Sequence, residues 1–293
     1  MNENNLQRLL RAAQEKAIQG QLPSYIPLLA QVDPQIIAIA IYQTNSINIT
    51  LAGDTSVTFP LMSLIKPFLL LYLLETLGID EVFKMVERQP TLEAFNAIPE
   101  SKPNNPMINS GAITLSSRLT SCAVLQNWLN QQSGAELSLD HQMLNSVRSN
   151  ANRRNLAIAD QLKALGIVPE PSHALAVYEE ICCLQGNVQD LAKIATLLID
   201  TKRSLNIPIV LDVMTNCGMY EVSQAFAQDI GLPSKSSISG ALLSIIPDQA
   251  AIACYSPPLD AIGNSIASIF LIRQVKSDLA YSALSSNPNQ EKN

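Results

Sequence analysis

Charge is scarce in this chain. Only 15% of its 293 residues are Asp, Glu, Lys or Arg, well below the roughly 25% usual for globular domains. The 19 basic residues are scattered and outnumbered by 25 acidic ones, for a formal charge of −6, which argues against nucleic acid as a partner. Histidine is scarcer still: only His141 and His173 are present, neither near a paired carboxylate. That removes most zinc enzymes and argues against a Ser-His-Asp triad, so acid–base work falls to Lys, Tyr or a carboxylate, with no metal or organic cofactor expected. The five cysteines are odd in number, and Cys182 and Cys183 are adjacent. No disulfide framework or CxxC zinc site follows, and they read as reduced core residues. Long apolar runs are also missing: Phe68–Leu74 falls far short of the roughly 20 residues of a membrane helix. Met1-Asn2-Glu3-Asn4-Asn5 has neither a basic nor an apolar leader segment, so a cytoplasmic protein away from the membrane is expected. What is abundant is apolar material, at 47%. This length can bury a sizeable core, and disorder, collagen and coiled coil are excluded.

Leu6, Leu9, Leu10, Ala13 and Ala17 recur at helical spacing and predict a surface helix over Asn5–Ile18. The β-branched runs Ile36–Gln43 and Ile47–Ala52, split by Thr44-Asn45-Ser46, predict a hairpin. A second hairpin is expected from Ala241–Ile246 and Ala251–Tyr255 around Pro247-Asp248-Gln249, followed by an apolar helix near Ser265–Lys276. Between the hairpins the pattern is helical, notably over Leu64–Leu77, Ile113–Gln132, Ile158–Leu165 and Asp190–Asp200. The expected fold is therefore α+β: one antiparallel sheet built from both ends of the chain, with the terminal helices on a face and an inserted helical lobe. Residues 1–293 read as one domain, its sheet lobe from 1–60 and 220–280 and its helical lobe from 61–219. A cleft between lobes is the expected place for a site, and only the tail after Ser282 looks frayed.

Ser63-Leu64-Ile65-Lys66 is the only SxxK in the chain, and it stands where a helix begins after Phe59-Pro60. Residues i and i+3 share a helix face, so hydroxyl and amine can meet. A lysine held among apolar side chains has its charged form disfavoured and can take the serine proton. The helix N-terminus adds free N–H groups beside the nucleophile. The spacing alone fits a capping Ser63 with a solvated Lys66 equally well. Lys235-Ser236, leading into the strand Ala241–Ile246, adds the pattern of the Lys-Thr-Gly edge strand of serine β-lactamases and penicillin-binding proteins. Such a strand can supply the second N–H of an oxyanion hole.

With these residues the chain resembles the serine-dependent glutaminases, which share a β-lactamase/transpeptidase-like fold. The likeness runs from about Asp33 to Arg273, with Tyr25-Ile26-Pro27 ahead of it. It is carried by Ser63-Leu64-Ile65-Lys66-Pro67, Asn105–Ala112, Arg154-Asn155, Cys217-Gly218-Met219-Tyr220, Gly231–Ser236, Ser256–Asp260 and Gly263-Asn264-Ser265. The resemblance implies that L-glutamine is the small-molecule amide substrate, hydrolysed to L-glutamate and ammonia. It implies Ser63 as nucleophile, Lys66 as base, and Tyr178 or Tyr220 as proton relay to the leaving ammonia. The N–H groups of Ser63 and Ile238 would form the oxyanion hole, and Tyr25, Asn109 and Asn155 would hold the amino-acid end. A homodimer or homotetramer is implied as well.

Several positions depart from the family pattern. Where the family has a Glu for the substrate ammonium, this chain has Arg148, and no Asp or Glu lies between Asp140 and Asp160. Exchanging attraction for repulsion at about 4 Å costs several kcal/mol even at an effective dielectric of about 20. Met62 replaces a Gln before the nucleophile, Pro90-Thr91-Leu92 replaces a Pro-Ser-Gly-like loop, and Ser237 and Ser239 replace flexible residues in the turn after Lys235. That last change is expected to reduce backbone freedom at the oxyanion hole. Three readings follow: a glutaminase in which Arg148 points away, a serine amidase or acyl-transferase whose different substrate presents a carboxylate to Arg148, and a non-catalytic glutaminase-like binding protein.

Overall fold

The computed structural model describes residues 3–46, 48–91, 93–151 and 153–285. Its main sheet is formed by β1 (Ala38–Gln43), β2 (Thr50–Gly53), β6 (Ser234–Ser236), β7 (Ala241–Ile246) and β8 (Ala250–Tyr255). These run antiparallel in the order β2-β1-β8-β7-β6, so strands from the two ends of the chain interleave as expected. The pairing of Ala38 with both Gly53 and Tyr255 fixes the register of both ends. A small second sheet, β3 (Phe59–Pro60), β5 (Leu184–Gly186) and β4 (Ser138–Leu139), lies among the helices. Its strands are two or three residues long, too short for an alternation of period two to register in the sequence.

The helices are α1 (Glu3–Ala17), α2 (Lys66–Leu77), α3 (Ile79–Met85), α4 (Asn109–Ser116), α5 (Cys122–Ser133), α6 (His141–Ser146), α7 (Arg153–Ala164), α8 (Pro171–Cys182), α9 (Val188–Ala195), α10 (Asn206–Cys217), α11 (Ser223–Asp229) and α12 (Ile266–Ser285). Alternation along the strands divides the core. Ile39, Ile41, Leu242, Ile252 and Cys254 face α1 and α12, while Ala38, Ala40, Leu243, Ala251, Ala253 and Tyr255 face the larger helical core. Alanine on that inner face lets α9 lie close across β1 and β8. α9 itself is fixed at its start by a reciprocal cap between Asn187 and Asp190.

Several elements differ from expectation in instructive ways. The single helix expected over Ile113–Gln132 is two, α4 and α5. The hydroxyls of Thr114, Ser116 and Ser117 bond back to the carbonyls of Ser110, Ala112 and Thr114, which lets the helix end early. The terminal helix runs to Ser285, well past the expected Lys276. Lys235 sits on the edge strand β6, which pairs with β7. In the first hairpin Ile47 lies outside the described residues, as do Leu92 of the Pro90 loop and the tail after Ser285.

Candidate active site

Ser63 lies in a short 3₁₀ turn, Met62–Ile65, which hands over to α2 at Lys66. The Lys66 N–H bonds to the Ser63 carbonyl, and a 3₁₀ turn eclipses residues i and i+3. The tighter helix therefore brings serine and lysine onto one line more closely than an α-turn does. Met62, just before Ser63, has φ of +48°, and Tyr220 has φ of +54°. Only one other non-glycine among the described residues, Asp248 in a hairpin turn, has a positive φ. Two of the three strained residues therefore stand at this site, and such strain persists where surrounding structure imposes it.

Lys66 is 1% exposed. Its Nζ donates to the Met107 carbonyl at 3.2 Å and to Asn109 Oδ1 at 2.9 Å, and burial lowers its pKa to about 8. Because an ammonium only donates, the Asn109 oxygen must face it. The same oxygen accepts from Tyr178 Oη at 3.0 Å, and Asn109 Nδ2 donates to Asn155 Oδ1 at 2.9 Å. Asn109 is thus the hub joining α2, α7 and α8. Its helix is seated by Gly111, where a Cβ would fall 2.3 Å from the Asn105 carbonyl oxygen.

Tyr178 and Tyr220 are both buried phenols whose pKa is pushed up, first by desolvation, so both stay protonated. The Tyr220 ring carries Lys235 Nζ at 4.6 Å from its centroid. Lys235 is fully buried, donates to the carbonyls of Gly218 and Ser236, and has its pKa lowered by desolvation and then by the charge of Lys66. Ile238 follows in the turn after β6, and its N–H has no backbone acceptor among the described residues. Ser63, near the start of its 3₁₀ turn, likewise has no preceding intrahelical carbonyl to meet.

Neither Ser237 nor Ser239 has a positive φ, and the residue that does is Gly240, at +95°. Serine is therefore unstrained there. The Ser237 hydroxyl donates to the Leu61 carbonyl at 3.0 Å, tying the turn to the segment that carries Ser63.

A cavity of about 380 Å³ gathers Tyr25, Ser63, Asn109, Asn155, Tyr178 and Ile238 in its lining. Lys66 lies next to it through Asn109, and Tyr220 joins from the adjoining hollow lined by Pro90, Thr91 and Asn105. Tyr25 is 47% exposed, at the rim. Arg148 is not among the lining residues. It sits in a π-helical turn, Val147–Ala151, and its Nε donates to Glu179 Oε2 at 3.0 Å while Nη2 lies 3.5 Å from Glu180 Oε1. The expected repulsion between Arg148 and a substrate cation is thereby quenched by acids from α8. Sequence reasoning passed over Glu179, Cys182 and Arg153 in the lining. Glu179 stands directly after Tyr178, and its neighbourhood was the available signal; nothing marks Cys182 or Arg153.

Residues 20–283 match the Glutaminase family model. A glutaminase of Synechocystis sp. is 39% identical over 282 residues, covering 91% of this chain and 86% of that one. Glutaminase 2 of Bacillus subtilis is 32% identical over 294 residues, covering 92% and 95%. Among solved structures, a probable glutaminase, ybaS, superposes with a TM-score of 0.85 at 29% identity, over 96% of this chain and 98% of its own. The Bacillus subtilis glutaminase YbgJ, in covalent complex with 5-oxo-L-norleucine, gives 0.83 at 25% identity, over 94% and 97%. The fold is the β-lactamase-like one of these neighbours. Agreement across nearly the whole length, with a Ser-x-x-Lys at the cavity, makes this chain a member of the glutaminase family.

Proposed function

We propose that the protein hydrolyses the side-chain amide of L-glutamine to L-glutamate and ammonia, with Ser63 as nucleophile and Lys66 as its base. The observation that carries this is the buried Lys66 amine, lowered to about 8, three residues along the same turn from a serine that lines the cavity. At pH 7 roughly a tenth of such an amine is neutral, against about three in ten thousand at the ordinary value of 10.5. A neutral amine keeps two N–H bonds, enough for the two acceptors Met107 and Asn109, and leaves one lone pair for the Ser63 proton. Ser63 Oγ then bonds to the amide carbon while its proton passes to Lys66. The N–H groups of Ser63 and Ile238 stabilise the resulting oxyanion. Tyr220, protonated and interacting with Ser63, gives its proton to the departing ammonia and is recharged from Lys66. Tyr178 holds the acceptor side of Asn109, and water then cleaves the acyl-serine by the reverse relay. Asn155 and Tyr25 meet the amino-acid end.

A family relative's capture of a glutamine-like diazo-ketone as a covalent complex supports this reading. Five buried, unpaired thiols are in keeping with a reducing, cytoplasmic setting. Among the described residues no helix is long and apolar enough to cross a membrane. A homodimer or homotetramer belongs to the same proposal by resemblance. The test is ammonia release from L-glutamine. The Ser63→Ala variant should lose at least about a thousandfold in kcat with an unchanged thermal melt. Full activity in that variant removes Ser63 from the mechanism.

A further inference from the structure

Glu179 lines the cavity that holds Ser63, yet the residue is only 3% exposed. One carboxylate oxygen, Oε2, accepts from Arg148 Nε at 3.0 Å. The other, Oε1, is buried with no hydrogen-bond partner. A buried carboxylate oxygen left bare is costly, and such an atom beside a reaction cavity calls for a donor from outside the protein. The surrounding charges specify which donor. Arg148 touches both Glu179 and Glu180, so the three together carry one net negative charge. Arg153 and Arg154 of α7 line the same cavity, with Arg153 free of any ion-pair partner among the described residues. The lining therefore carries both an anionic and a cationic group, which is the charge pattern that an α-amino acid's two termini need.

We propose that Glu179 receives the α-ammonium of the substrate and so makes the site selective for amino-acid amides, with Arg148 as the positioning residue that holds its carboxylate. This rests on the glutamine reading above. Rotation about the terminal carboxyl bond is soft and carries both oxygens together, so as Oε1 turns toward the incoming ammonium the long Arg148 side chain follows Oε2. Arg148 thus becomes a support for ammonium binding, carried one residue away from the substrate, rather than an obstacle to it.

Binding separates this assignment from the reaction. Isothermal titration of the Ser63→Ala protein should show L-glutamine preferred over glutaric acid monoamide, which lacks the amine, by on the order of a hundredfold. In Ser63→Ala/Glu179→Gln that preference should shrink to within about threefold. Equal affinity in the parent, or an intact preference in the double variant, overturns the proposal. Failure of ammonia release in the wild type instead overturns the glutamine hydrolysis, because the titration does not depend on turnover. Should Glu179→Gln fail to fold, Arg148→Met serves as the second variant. The groups facing the Glu179 carboxylate are Arg148, which favours its ionised form, Glu180, which opposes it, and the thiols of Cys182 and Cys183. Losing the arginine raises an already raised carboxyl further. Glutamine affinity in Ser63→Ala/Arg148→Met should then fall below that of the parent and improve as pH increases, while monoamide affinity shows no such dependence. A pH-independent preference in that variant overturns the positioning role.

Discussion

At the scale of single residues, the chemistry turns on where one proton rests. Lys66 is a strongly desolvated amine at the end of the turn that carries Ser63, and its two acceptors leave one lone pair for the proton in the proposed mechanism. With a pKa of about 8, its neutral fraction climbs from roughly a tenth at pH 7 to nine-tenths at pH 9. The kcat/KM for the amide should therefore rise about tenfold across that interval with a one-proton slope, read from initial rates in a constant-ionic-strength buffer. A flat profile between pH 7 and 9 removes Lys66 as the base. Neither phenol competes for that role, because burial pushes both Tyr178 and Tyr220 further from ionisation. On the proposed mechanism the two tyrosines donate and relay.

At the scale of elements, precision comes from close backbone approaches that only small residues permit. α4 carries Asn109, the hub for Lys66, Tyr178 and Asn155, and rests against the Asn104–Asn105 carbonyls through Gly111. Gly111→Ala places a methyl 2.3 Å from one carbonyl oxygen and 2.6 Å from the other, both backbone atoms that cannot step aside cheaply. The variant should lose about 1–3 kcal/mol in urea unfolding. Its kcat should fall by more than the unfolded fraction accounts for, because the helix can only relieve the clash by withdrawing Asn109 from Lys66. Full activity with intact stability would show that α4 yields without moving its first residue. The Ser-x-x-Lys pair and both hairpins were legible in the sequence because each is a local pattern: a fixed spacing, or alternation over six residues. The pairing of Arg148 with Glu179 was not, since its members are separated by 31 positions and meet only through the packing of α7, α8 and the π-turn between α6 and α7. The short strands β3, β4 and β5 escaped for the opposite reason: too few residues to carry any period.

At the scale of the whole molecule, a charge-poor chain with two fully buried lysines and five buried thiols has an unusual stability profile. The folded state depresses the lysines: Lys66 to about 8, and Lys235 well below its ordinary value. Between those values and 10.5 the unfolded chain binds more protons than the folded one, so stability increases with pH, with Lys66 contributing up to roughly 3 kcal/mol over the full interval. The thiols act with the opposite sign. Burial raises Cys182 to about 11 and Cys122 and Cys217 to about 12. Above about 9 the unfolded chain therefore releases protons that the folded one keeps, and stability declines. The two trends cross, which places maximal stability near pH 8.5–9 rather than in the usual range of about 5–8. Guanidinium midpoints under reducing conditions at pH 7.5, 8.5 and 10 should rise and then fall. Lys66→Met should make the first limb shallower, leaving the part due to Lys235, and keep the second in place. A steady fall from pH 7.5 onward would mean that the folded protein keeps both ammonium groups charged, and the supply of neutral amine at Ser63 would have to come from the substrate complex alone.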